Sequence, residues 1–216
     1  MSVPGVRRRE IQGFTTAERG IKGVVGSNEV VELEQLVAAL KKAAAALRDA
    51  EVPFALGGGF AAWARGGPEV DHDVDLLVPP RFAERAAAAL AGAGLNVEQP
   101  PEEWLLKAHD TGATVDVIFE PSGVRVDEAL FERADELQVQ AMTMPVASLE
   151  DVLVSKLLAL NEQELHLAGP LEIARALREQ VDWEDVWRRT EGSPFAAAFR
   201  TLVEQLGVVR RDMKAR

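Results

Sequence analysis

Aspartates recur at alternate positions in one short run, Asp71, Asp73 and Asp75, interleaved with His72, Val74 and Leu76. Period 2 puts the three acids on one face of a strand, with neighbours about 6–7 Å apart, and His72 on the other. Like charges this close are costly unless a cation lies among them. A second apolar, β-branched run, Thr114 to Phe119, is interrupted by a single acid, Asp116. If the two strands pair, about 4.8 Å apart, Asp116 joins Asp73 and Asp75. Carboxylates together with water and phosphate oxygens suit Mg²⁺, or Mn²⁺ in its place. Two ions roughly 3.5–4 Å apart could share the three acids and clamp the attacking and leaving oxygens of an in-line displacement. Upstream, Gly57, Gly58 and Gly59 stand between a short strand and a helix expected over Phe60 to Arg65. Glycines there allow a tight turn and close approach of a ligand, and the free N–H groups of a helix start attract phosphate. An anion cradle beside a carboxylate cluster suggests a metal–triphosphate complex.

Each part alone has a plainer reading: a tight turn, a strand end rich in acids. Together they are more specific, because the run from Asp73 to Val78 is otherwise apolar and reads as a central strand, where idle carboxylates are unfavourable.

The elements that position these residues follow from periodicity. Ser27 or Asn28 caps a helix from Glu29, with Val30, Leu33, Leu36, Val37, Leu40, Ala44 and Leu47 as its apolar stripe. Val52 to Leu56 is the first strand. Pro79-Pro80 ends the aspartate strand and starts a helix over Arg81 to Ala91, stopped by Gly92 and Gly94. Leu95 to Glu98 and Trp104 to His109 read as strands, and Asp110-Thr111-Gly112 as the turn into the Asp116 strand. Lys107 could reach a triphosphate, although a solvent-facing strand lysine is the default. A helix over Asp127 to Leu137 and an extended segment from Val139 to Met144 follow. After Pro145 the chain reads as all helix: one capped by Ser148 with Asp151, one begun at Gly169-Pro170, a short one from Asp182, and a last one from Ser193-Pro194 with Phe195, Phe199, Leu202, Val203 and Leu206 as its core face. Residues 1–26 lack periodicity and are expected as a mobile arm, 27–145 as the catalytic domain and 146–210 as a helical subdomain.

Gly58-Gly59, Asp73-Val74-Asp75 and Asp116 in this order resemble the DNA polymerase β-type nucleotidyltransferase superfamily. Within it, GGFAAWARGG followed by HDVDLLV is similar to the bacterial AbiEii/MenT-like group, which includes toxins of toxin–antitoxin pairs. The resemblance covers roughly residues 50–120 and implies an α/β (α+β) fold: the minimal nucleotidyltransferase fold, a mixed sheet flanked by helices, plus a C-terminal helical subdomain. It implies transfer of a nucleoside monophosphate from an NTP to an acceptor hydroxyl, with Mg²⁺ or Mn²⁺ held by Asp73, Asp75 and Asp116. Gly58 and Gly59 would take the phosphates. The group's helix lysine matches Lys156, which otherwise snorkels out beside its apolar stripe. Arg65 could help bind the nucleotide, against the default of a helix-surface arginine. The acid that members of the group carry after that lysine has no certain counterpart. His166 stands in the region, with Glu164 and Glu172 nearby, a departure from the group's pattern that bears on the acceptor chemistry.

Composition narrows the partners. A net charge of −11 opposes non-specific nucleic-acid binding. The basic clusters Arg7-Arg8-Arg9, Lys41-Lys42, Arg188-Arg189 and Arg210-Arg211 to Lys214 and Arg216 are more simply solvated charge. The absence of cysteine excludes disulfides and thiolate chemistry and fits a cytoplasmic protein. His72, His109 and His166 show no zinc-like spacing, and no apolar run reaches membrane-span length. The acceptor stays open among a tRNA 3′ end, a protein hydroxyl and a small molecule such as an antibiotic; a toxin would also need an antitoxin partner. Two other classes compete: a glycosyltransferase using a DxD, which leaves Gly58-Gly59 and Asp116 unexplained, and a non-catalytic NTP-binding or protein-interaction module that keeps the fold.

Overall fold

The computed structural model describes residues 27–70, 73–101 and 104–210, with side chains from Leu33 onward. The proposed arm, Asp71 and His72, and the basic tail from Arg211 lie outside the described residues. Helix α1, Ser27–Asp49, precedes strand β1, Ala55–Leu56. Helix α2, Gly58–Trp63, leads to β2, Asp73–Leu77. After a 3-10 turn at Pro80–Phe82 come α3, Ala83–Gly92, and β3, Asn96–Glu98. Strands β4, Leu105–Asp110, and β5, Ala113–Ile118, form a hairpin. Helix α4, Glu128–Arg133, is followed by the hairpin of β6, Asp135–Val139, and β7, Met142–Val146. Four helices end the described chain: α5, Leu149–Leu158; α6, Ala168–Leu177; α7, Trp183–Arg189; and α8, Pro194–Gln205.

The strands form one mixed seven-stranded sheet in the order β3-β4-β5-β2-β1-β7-β6. The aspartate strand β2 is thus central. It pairs parallel with β5 and antiparallel with β1. Its two faces differ as the alternation dictates: Val74 and Leu76 are fully buried, Asp75 is half-buried and Asp73 is exposed. On β5, Val115 and Val117 are likewise buried while Thr114, Asp116 and Ile118 are only partly so. Helix α1 packs against β5 and β2, burying Leu36, Leu40, Ala43 and Leu47. Helices α2 and α5 pack against each other, and α2 lies against β2. The acids stand on the sheet face that is not sealed.

Two expectations change. The helix after Asp127 ends at Arg133, and Asp135 to Leu137 is strand rather than helix. The turn between β6 and β7, Gln140-Ala141, has φ of 47° and 65° and contains no glycine or asparagine, so the usual hairpin signal is missing. Leu206, expected in the core of the last helix, is 48% exposed, whereas Phe199 and Val203 are buried. No helix among the described residues is long and apolar enough to cross a membrane.

Candidate active site

Asp75 and Asp116 are direct partners in the parallel β2–β5 register, with Asp73 one pleat further along β2 opposite Thr114. All three carboxylates therefore emerge on one side of the sheet. Asp73 and Asp75 make no side-chain hydrogen bond or ion pair with any described residue. Burial pushes the Asp75 carboxyl up to about 6; Lys156 opposes the shift, and the charges of Asp116 and Asp73 add to it.

Gly58 sets where Asp75 sits. Its φ is +51°, and a Cβ there would lie 1.6 Å from Asp75 Oδ2. The carboxylate rests directly on the glycine backbone at the start of α2, and the Gly57 N–H donates to the Asp75 carbonyl at 2.8 Å. A Cβ on Gly59 would meet only Val70 Cγ1, at 3.5 Å. Gly58→Ala is therefore expected to cost about 1–3 kcal/mol, from strain at positive φ and displacement of Asp75, with Gly59→Ala near neutral. Urea denaturation of both variants checks this.

Lys156, on α5, lines a cleft with Gly58, Asp75, Leu77, Ile118 and Asp151. It has no hydrogen bond or salt bridge to a described residue, and among the surrounding charges it acts most strongly on Asp75. The cleft holds about 100 Å³ and opens to solvent.

Two residues behave otherwise than expected. Arg65 is held at the β6–β7 hairpin: it donates to Asp135 Oδ2 at 2.8 Å and to the carbonyls of Val146 and Ala147 at 3.1 and 3.0 Å. Its side chain is 7% exposed, and it fastens the end of α2 to the β6–β7 hairpin. Lys107, 35% exposed, is not a free surface lysine. Its ammonium donates to both Asp116 oxygens at 2.9 Å. Burial alone would lower the Lys107 pKa, but that hydrogen bond and the charges of Asp116, Asp73 and Asp75 hold it above its ordinary value. His166, Glu164 and Glu172 are exposed.

Asp151 is a buried hub the sequence offered only as a helix cap. Its carboxylate, 1% exposed, accepts from Arg133 at 3.1 and 3.1 Å, from Arg189 at 2.5 Å and from Ser148 Oγ at 3.0 Å.

The residues fit a divalent ion in part. Among the described residues no three acids or histidines are grouped closely enough to hold one ion as they stand. Yet Asp73 and Asp75 have no hydrogen-bond or ion-pair partner among the described residues, and Asp116, the third acid on that face, is paired with the Lys107 ammonium.

No family model and no curated protein sequence matches the chain. Solved structures do. The solution structure of the antibiotic-resistance factor ANT(2'')-Ia aligns with a TM-score of 0.55 at 19% identity, covering 82% of this chain and 96% of that one. The crystal structure of ANT(2'')-Ia in complex with adenylyl-2''-tobramycin aligns at 0.52 and 19%, covering 77% and 97%. A lincosamide antibiotic adenylyltransferase with lincomycin bound gives 0.42 and 14%, covering 73% and 99%. The chain is similar in fold to ANT(2'')-Ia.

Proposed function

We propose, for a chain with the fold of solved nucleotidyltransferases, that it moves a nucleoside monophosphate from an NTP to an acceptor hydroxyl and releases pyrophosphate. The observation that carries this reading is the pair of unpartnered carboxylates, Asp73 and Asp75, beside Asp116, with Asp75 seated on the Gly58 turn. The backbone of Gly58 and Gly59 holds the β and γ phosphates. Lys156 neutralises their charge from across the cleft. Asp116 accepts the proton of the acceptor hydroxyl as its oxygen bonds to the α-phosphorus and the bond to the bridging oxygen breaks. Asp73, Asp75 and Asp116 would hold Mg²⁺ or Mn²⁺, which when bound supplies charge stabilisation on the phosphoryl oxygens.

For the acceptor, the strongly acidic chain favours a cationic small molecule or a protein hydroxyl over RNA. The antibiotic-linked fold neighbours support the small-molecule arm; a tRNA 3′ end, and with it a toxin role and an antitoxin partner, is the arm to set against it. A second reading, a module that binds NTP without turnover, is favoured by the closed state of Asp116. Incubation with each α-labelled NTP, Mg²⁺ or Mn²⁺ and, separately, aminoglycosides, total tRNA or lysate separates these. Incorporation with pyrophosphate release is expected, and Asp73→Ala is expected to lose it. Binding without incorporation supports the module; full labelling by Asp73→Ala removes the site assignment.

A further inference from the structure

We propose that Lys107 is a resident counter-ion that competes with a divalent cation for Asp116. This rests on the metal-dependent reading above. The Lys107 ammonium bonds both Asp116 oxygens at 2.9 Å, so each oxygen already carries a charged donor that an incoming cation must compete with. It had an alternative. Glu98, on β3, is its cross-strand partner on the other side and is 64% exposed, yet Glu98 pairs with His109 and the lysine turns inward. The pair is only partly open to water, with 14% of the Asp116 side chain and 35% of the Lys107 side chain exposed, so screening does not erase it as on an open surface.

The arrangement keeps the acid face partly neutralised without metal. A dication entering at Asp116 displaces the ammonium. Lysine's flexible stem lets the ammonium remain in the cluster after release, where an arriving triphosphate offers it a new partner. Metal binding is thereby weakened when no nucleotide is present and strengthened when one is.

Titration of Mn²⁺ alone into the full chain, followed by calorimetry or by the spin resonance of free Mn²⁺, tests this. Lys107→Met is expected to bind about tenfold more tightly than the parent, the worth of one charge-assisted hydrogen bond in an equilibrium constant. Lys107→Arg, which keeps the charge, is expected to stay within about twofold. Mn²⁺ should also raise the melting temperature of Lys107→Met more than that of the parent, and Lys107→Gln repeats the comparison if the methionine variant folds poorly. Equal or weaker Mn²⁺ binding by the neutral variants, or an equal rise in melting temperature, overturns the proposal. If the parent still labels an acceptor in that case, the transferase reading survives; if the parent neither binds Mn²⁺ nor labels, both fall.

Discussion

Asp75→Asn is expected to reduce nucleotide transfer to background and, in the same protein, to raise stability above neutral pH. The physical reason is the carboxyl's position. Burial and two neighbouring acids raise its pKa from 3.8 to about 6 in the folded chain. Between those values the folded state holds a proton that the unfolded chain has given up. The parent's stability therefore falls as pH rises through that window, and the deficit is complete above it. A shift of this size corresponds to roughly 1–3 kcal/mol. Asparagine carries no charge to bury and loses nothing. The melting temperatures of variant and parent should lie close together at about pH 4 and separate by several degrees at about pH 8, with the variant higher. Mn²⁺ should narrow the gap by stabilising only the parent. A variant that melts below the parent at both pH values would show that the Asp75 carboxylate is structural. The expected pattern is that of a site whose function is kept at the expense of stability.

The second large effect belongs to Asp151. Removing its carboxylate leaves Arg133 and Arg189 facing an empty, nearly buried position, with Arg189 only 16% exposed and retaining only Asp185 at 3.2 Å. Breaking a buried ion pair from one side typically costs 3–5 kcal/mol. Because Arg133 is partly solvated, with 38% of its side chain exposed, we expect about 3 kcal/mol for Asp151→Ala by denaturant unfolding at neutral pH. The Ser148 hydroxyl also loses the acceptor for its proton, while its cap bond from the backbone N–H of position 151 remains. Helix α5 carries Lys156, so transfer activity should fall even where the variant still folds. An Asp151→Ala protein as stable as the parent would show that the two arginines find water instead.

Lys107 shows how far the register can be read before any coordinates. A two-residue turn at Thr111-Gly112, with φ of 44° and 89°, is the hairpin type that glycine signals. Once Asp110 is set opposite Ala113, counting back along both strands puts Lys107 opposite Asp116. The pairing was present in the turn and the spacing; neither a triphosphate contact nor a solvent-facing lysine names Asp116 as its partner. The β6–β7 hairpin gave no such signal, because its turn uses Gln140 and Ala141 at positive φ. There the strand pairing, with β7 also joined to β1 through Leu56 and Val146, overrides local preference.

By itself the sequence determined the alternation that puts Asp73 and Asp75 on one face, the apolar runs that make β2 and β5 central, and the helix caps at Ser148, Asp182 and Ser193. These depend on period and on local backbone hydrogen bonding, which short stretches of chain specify alone. Only the tertiary structure decided that Gly58 is the glycine whose missing Cβ makes room for Asp75, that Arg65 turns to Asp135, and that Asp151 gathers Arg133 and Arg189. Each of those depends on which distant segment arrives to supply a charge or fill a space, and contacts of that kind have no period for a sequence to display.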